Sequence, residues 1–216
     1  YYWQLVANVR RFKGTSSLPT SSPPLSIRLE DGFAAWKDVQ PEFRDHVGET
    51  TPRDFEGSAG LHYTNQSGRN DLLTCKVARD LQNVYFYVRT RDDIRPSDSP
   101  LGMWLLIDAD QNVQTGWEGY DFIVNRTMEN ENKTWLEKNE GGWNWKPVES
   151  VSFGLKDKEL HLIIPRSALS LQEGQTRLSL DFKWADHIQN PGDIMDFYLS
   201  GDTAPEGRFM FRYQAE

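Results

Sequence analysis

Apolar and polar side chains alternate along several short stretches of this chain. Leu73, Cys75 and Val77 alternate with polar residues, and residues 84–88 have the same pattern. A two-residue period places the apolar side chains on one face of a strand and the polar ones on the other. Further alternating or short apolar stretches occupy residues 103–108, 120–125, 159–165, 177–184, 194–200 and 208–213. Many short strands and few helical patterns predict an all-β fold, an antiparallel β-sandwich of two sheets. The one short helix predicted in this part is residues 165–171, with Pro165 at its first position.

Three of the tryptophans have the pattern of core residues. Trp104 and Trp184 fall within apolar strand patterns, and Trp36 lies beside a first strand that is predicted to precede Asp31 and Gly32. We expect all three to be buried. Cys75 is on the apolar face of a predicted strand, where a thiol is usually inert. Because it is the only cysteine, an internal disulfide is excluded.

The composition limits the classes of partner. The chain has 216 residues and a formal net charge of −8 at pH 7. It therefore lacks the overall positive field that attracts nucleic acid. No apolar run approaches the roughly 20 residues that cross a bilayer, so no membrane span is expected.

The beginning of the chain has a different pattern. Apolar and aromatic residues recur at helical spacing in residues 1–14, and Gly14 suits the end of a helix. Residues 15–25 are rich in Ser, Thr and Pro, which is typical of an extended spacer. We predict that residues 1–14 are the last helix of an upstream domain, 15–25 a linker and 26–216 the module. The alternative is a helix that packs on the module itself.

Four segments of residues 26–216 carry a family resemblance. They contain the sequences LEDGFAAWKDV, GRND, TGWEGYDF and GDTAP, with their flanking strands. Together they resemble the family 9 carbohydrate-binding modules and their DOMON-like relatives. The resemblance implies a non-catalytic sandwich that binds oligo- or polysaccharide. It also implies attachment to the catalytic domain of a secreted, periplasmic or cell-surface glycoside hydrolase-type enzyme.

Sugar binding requires exposed aromatic rings, because the C–H faces of sugars pack on flat rings. Loop tryptophans are therefore the candidates. Trp143 and Trp145 follow a Gly-Gly break and would project on the same side of an extended segment, and Trp117 lies in a turn between two strands. The alternatives are a hairpin that covers the sheet, for Trp143 and Trp145, and a buried turn anchor, for Trp117.

A second candidate site is the turn that follows residue 107. Asp108, Asp110 and Asn112 are three oxygen ligands at alternate positions, and Asp121 on the next strand could complete a structural calcium site. The turn is not an EF-hand, because Val113 stands where that loop requires Gly. The alternative is that Asp108 and Asn112 only cap the turn.

Other classes of function find less support. The four histidines lack the spacing of a metalloprotease site, and no nucleophile or phosphate-binding glycine loop is evident, so no catalytic residues are predicted. Some DOMON-type domains hold haem through Met and His, but no haem is expected because nothing in the spacing pairs the available residues. These residues are Met103, Met195, Met210, His161 and His187. A further alternative is a structural module that braces the upstream catalytic domain without binding a ligand.

Overall fold

The computed structural model describes residues 5–6, 9–10, 13–15, 19–66, 70–94 and 102–216. This part of the chain is mostly antiparallel strand, which confirms the all-β prediction. The strands are β1 (Glu42–Arg44), β2 (Arg53–Glu56), β3 (His62–Asn65), β4 (Leu72–Arg79), β5 (Asn83–Thr90), β6 (Met103–Asp108), β7 (Phe122–Asn130), β8 (Lys133–Asn139), β9 (Trp145–Lys156), β10 (Glu159–Pro165), β11 (Leu178–Asp186), β12 (Asp202–Ala204) and β13 (Phe211–Ala215).

One sheet of eleven strands forms the body of the described region. Its order is β1-β4-β5-β10-β9-β8-β7-β6-β11-β12, with β13 also paired to β11, and β2 and β3 form a separate hairpin. The two layers of the predicted sandwich therefore belong to a single, nearly closed sheet. At the remaining gap the Leu72 N–H of β4 donates to the Asp202 carboxylate of β12 at 2.7 Å.

The main core lies between the two layers and is built from the alternating residues. Phe86 of β5 and Phe182 of β11 meet there with ring centroids 5.7 Å apart. Cys75 and Trp184 are both completely buried in this core, as predicted. The period-two pattern therefore identified most of the inner face, because each strand contributes every second side chain to it. At the start of β4 the prediction is wrong, because an irregularity between Leu72 and Thr74 places Leu72 in the core instead of Leu73.

Two smaller clusters cover the outer face of the sheet. Residues 27–39 cross β4 and β5, and the buried Trp36 stacks on Tyr87 with ring centroids 5.0 Å apart. On the other layer Trp104 is buried among loop residues from 117–120 and 188–197. The expected burial of both tryptophans is confirmed, although they lie outside the main core.

Two other local predictions are wrong. Residues 194–200 were expected to form a strand, but Asp196–Leu199 form a short helix. The Asp196 carboxylate accepts the Gln189 and Asn190 N–H groups at 2.8 and 3.0 Å, which favours a compact turn over a strand. Residues 165–171 were expected to begin a helix at Pro165, but Pro165 ends β10 and only a 3-10 turn follows.

The structure describes only part of the predicted N-terminal helix and linker. Residues 5, 6, 9 and 10 are helical and Gly14 has a φ of 65°, whereas residues 1–4, 7–8, 11–12 and 16–18 lie outside the described residues. Beyond these, Ser22 and Leu25 donate backbone hydrogen bonds to Gln40 and Arg79. The second half of the predicted linker therefore runs along the module. No helix among the described residues has the length and apolarity needed to cross a membrane.

Candidate functional site

The three tryptophans predicted to contact sugar lie together on the outer face of the sheet. The ring centroid of Trp143 lies 4.5 Å from that of Trp117 and 5.4 Å from that of Trp145, with both pairs edge to face. Trp117 and Trp145 are each only 7% exposed, and Trp143 is half-buried. The rings therefore pack mainly on one another, and only Trp143 offers appreciable surface to a ligand.

The predicted calcium residues are also brought together. One carboxylate oxygen from each of Asp108, Asp110 and Asp121 lies within 4.8 Å of the others. The Asp121 carboxylate accepts the Ala109 N–H at 2.9 Å, so the residue that precedes β7 holds the beginning of the turn. The turn tightens at Gly116, whose φ is 66° and where a Cβ would overlap the Tyr120 carbonyl group.

In the same turn, side-chain oxygens accept backbone N–H groups, which agrees with the alternative that these residues only cap the turn. The Asn112 N–H donates to carboxylate oxygens of Asp110 and Asp108 at 2.9 and 3.3 Å, and the Asn112 side-chain oxygen accepts the Gln114 N–H at 3.1 Å. Burial, with a contribution from the negative charge of Asp121, raises the pKa of Asp108 to about 6. A cation near the Asp108 carboxylate would stabilise its negative charge. Capping and cation binding are compatible, because each carboxylate oxygen has more than one lone pair.

A cavity of about 310 Å³ lies between the β2–β3 hairpin and the segment around β12. Its wall combines aromatic rings, an arginine and several carboxylates. The lining residues are Glu49, Arg53, Tyr63, Phe197, Tyr198, Gly201, Asp202, Thr203, Glu206 and Gly207. None of them was predicted as a site residue from the sequence. This mixture of rings and hydrogen-bonding groups is typical of a ligand pocket.

Gly201 joins the two sides of this cavity. Its carbonyl oxygen accepts hydrogen bonds from the Asn65 amide at 3.2 Å and the Arg53 guanidinium at 3.4 Å, both from the hairpin. Its φ is 56°, and a Cβ at this position would overlap the Asp186 carbonyl oxygen. Gly207 has a φ of 61°, and a Cβ there would overlap the ring of Tyr198. Two close approaches that require glycine therefore shape the cavity.

Two lining residues of the cavity, Glu49 and Asp202, belong to an acidic cluster with Asp45. One carboxylate oxygen from each of Asp45, Glu49 and Asp202 lies within 4.8 Å of the others. Burial, and next the negative charge of Asp202, raise the pKa of Asp45 to about 8. Burial, followed by the charge of Asp45, also raises the pKa of Glu49. Burial lowers the pKa of the neighbouring Lys183 to about 7, against the opposing effect of Asp45 and Asp202.

The residues considered for haem lie apart from this cavity. Met103 is buried in the main core, and Met195 is 37% exposed. His161 is buried on the outer face of β10, where its Nδ1 accepts the Trp36 indole N–H at 2.9 Å. Burial lowers the pKa of His161 to about 4. His161 is therefore a neutral packing residue that orients Trp36.

The sequence pattern missed the cavity because its walls come from distant parts of the chain. Asp45 and Glu49 precede the hairpin, whereas Asp202 and Glu206 follow the short helix near the other end. The one local signal was the GDTAP segment, which carries Asp202 and belonged to the family resemblance. Comparisons with family models, curated proteins and solved structures found no match.

Proposed function

We propose that this chain is a non-catalytic carbohydrate-binding module that holds saccharide in the cavity between the β2–β3 hairpin and residues 197–207. The observation that carries the proposal is the cavity wall, where aromatic rings stand beside charged groups. Sugars have apolar C–H faces and a rim of hydroxyls, so their sites combine flat rings with hydrogen-bonding groups. The resemblance to family 9 modules supports the same class of ligand.

Each part of the wall has a chemical role in this proposal. The rings of Tyr63 and Tyr198 provide surfaces for the sugar ring, and the Arg53 guanidinium provides donors to its hydroxyl oxygens. Glu206 provides acceptors for hydroxyl protons. A volume of about 310 Å³ is near the lower end for ligand pockets, which suits a short saccharide or a chain end.

We also propose that the module belongs to a secreted or cell-surface enzyme that acts on glycans, with a catalytic domain upstream. The helical pattern and the Ser/Pro-rich segment at the start of the chain support this arrangement. One observation favours the second candidate function, a module that braces that domain. The Arg79 guanidinium donates to the Ser22 carbonyl at 2.8 Å, so the connecting segment is held against the sandwich.

The turn of Asp108, Asp110, Asn112 and Asp121 is proposed as a structural calcium site. Three carboxylates within 4.8 Å form an all-oxygen set, which is the chemistry that calcium prefers. Water molecules would complete the usual six to eight ligands. An ion here would fix the connection between β6 and β7 beside the tryptophan cluster.

The saccharide proposal is tested by titrating the protein with a panel of soluble oligo- and polysaccharides, followed by calorimetry and tryptophan fluorescence. For a saccharide that binds, Tyr63→Ala should weaken the affinity about five- to thirtyfold, because it removes a stacking surface worth on the order of 1–2 kcal/mol. Trp143→Ala is the matched variant, since it removes the most exposed ring of the other aromatic cluster. It should leave the affinity unchanged.

Two results would contradict this assignment. If Trp143→Ala abolishes binding and Tyr63→Ala does not, the saccharide binds at the tryptophan cluster instead of the cavity. If no saccharide in the panel binds, with or without calcium, the bracing role replaces the binding role. Circular dichroism and melting temperature establish that each variant is folded.

A further inference from the structure

The β2–β3 hairpin forms one wall of the cavity but stands apart from the main sheet. Its two strands pair with each other, from Arg53 opposite Asn65 to Glu56 opposite His62, and form a separate two-stranded sheet. Arg53 and Tyr63 of the hairpin line the cavity together with side chains from residues 197–207. A two-stranded hairpin by itself is only marginally stable in water. The position of this hairpin therefore depends on its contacts with the rest of the protein.

The hydrophobic cores contribute little to these contacts. None of residues 53–65 belongs to the three hydrophobic clusters found in the described part of the chain. The Phe55 side chain is 54% exposed and stacks on Tyr63 of the same hairpin, with ring centroids 5.4 Å apart. Burial of apolar surface is the main force that holds elements together. The hairpin should therefore separate from the sandwich at a lower cost in free energy than a strand of the main sheet.

The base of the hairpin is attached at one carbonyl group. The Arg53 guanidinium and the Asn65 amide both donate to the Gly201 carbonyl oxygen, at 3.4 and 3.2 Å. Arg53 and Asn65 face each other across the two strands, at the end farthest from the turn. Asn65 is only 1% exposed, whereas Phe55, nearer the turn, is exposed. A buried base and a solvated tip are the arrangement of a flap that swings about its base.

The two strands of the hairpin are also braced against each other. The His62 ring lies between two carboxylates of β2, with Nδ1 2.8 Å from a Glu56 oxygen and Nε2 2.5 Å from an Asp54 oxygen. At the tip the Gly57 N–H donates to the Leu61 carbonyl at 2.6 Å. Each exposed ion pair is weak, but these contacts add to the backbone ladder of the hairpin. The hairpin should therefore move as one unit instead of fraying strand by strand.

We propose that the β2–β3 hairpin is a flap that opens as one unit about its base at the Gly201 carbonyl, and that its opening controls access to the cavity. Opening removes one wall of the cavity, and closure places Arg53 and Tyr63 against a bound molecule. The opening does not depend on the saccharide proposal. Only the kind of molecule that the flap admits rests on that proposal.

The test is amide hydrogen exchange of the protein without saccharide. The amides of β2 and β3 should exchange at least about a hundredfold faster than those of β5 and β10, yet more slowly than in an unstructured peptide, because the flap opens without global unfolding. Leu105→Ala destabilises the main core, where Leu105 is completely buried. This variant should speed exchange in β5 and β10 about thirtyfold or more and leave the hairpin amides unchanged, because the core stays intact when the flap opens.

A second variant tests the anchor. Asn65→Leu keeps the approximate shape of the side chain but removes the donor to the Gly201 carbonyl, so exchange in the hairpin should become about fivefold faster. Asn139→Leu is the matched control, because the Asn139 amide also donates to a glycine carbonyl, that of Gly142 at 2.8 Å, in another turn. It should leave exchange in the hairpin unchanged.

Three results would overturn the flap: hairpin amides that exchange no faster than those of β5, hairpin amides with no protection at all, or equal acceleration of both regions by Leu105→Ala. If Asn65→Leu and Asn139→Leu have the same effect on the hairpin, the Gly201 carbonyl is not its anchor. A saccharide that binds in the cavity should slow exchange in the hairpin. A flap that opens as expected, but whose exchange no saccharide slows, would contradict only the proposed function.

Discussion

The burial of His161 leads to a defined prediction for stability against pH. Its side chain is 1% exposed, and burial lowers its pKa to about 4, from an ordinary value of 6.5. Between these values the unfolded chain binds a proton at this residue and the folded protein does not. Stability from this residue is therefore lost as the pH falls from about 7 towards 4. At pH 5 the loss is about 2 kcal/mol relative to pH 7.

The variant His161→Gln isolates this contribution. The indole N–H of Trp36 can only donate, so Nδ1 must accept, and the amide oxygen of glutamine can replace it. Urea denaturation followed by tryptophan fluorescence gives the free energy of unfolding at pH 7 and at pH 5. Between these two pH values, wild type should lose about 2 kcal/mol more than the variant.

The comparison with the variant is necessary because other groups titrate in the same range. The pKa values of Asp45 and Asp108 are raised to about 8 and about 6, so these carboxyls add stability as the pH falls. They act equally in wild type and variant, and their effect cancels in the difference. If both proteins show the same dependence on pH, His161 is not held neutral by burial and the reasoning is refuted.

Two further predictions concern the fold. Gly201→Ala should destabilise the protein by about 1–3 kcal/mol, because its φ is 56° and the new Cβ would overlap the Asp186 carbonyl oxygen. Gly174→Ala is its control: it has a φ of 75° and open space, so thermal unfolding should show a smaller loss, and equal losses would contradict the overlap argument. Leu105→Ala should cost about 2–5 kcal/mol in urea denaturation, because Leu105 is completely buried in the main core. Val113→Ala, at a side chain that is 70% exposed, should stay within about 0.5 kcal/mol, and a comparable loss there would contradict the burial argument.

The local sequence pattern determined the fold class and much of the core. Phe182 and Trp184 follow the period-two alternation, and both are completely buried. This pattern is local, because a strand turns every second side chain towards the same face. The turn after β6 was also predictable, since Asp108 and Asp121 are joined by a short connection between paired strands.

Only the tertiary structure decided the remaining features. Trp117 and Trp145 pack with Trp143 because loops from separate parts of the chain meet on the outer face of the sheet. Residues 194–200 have the apolar content of a strand, yet the Asp196 carboxylate, which accepts the Gln189 and Asn190 N–H groups, favours a helix. Burial and charge at such places depend on partners distant in the sequence, which a local pattern does not contain.

The acidic residues beside the cavity show the same division between what the sequence determines and what the tertiary structure determines. The sequence supplies Asp45, Glu49 and Asp202 as three ordinary acidic residues, and nothing in their spacing relates them. Closure of the sheet brings β1 and β12 to the same edge of β4, and burial there raises the pKa values of all three. Sequence alone determined which groups were available. The fold determined which of them share a buried space, because only packing removes the water that would keep their charges independent.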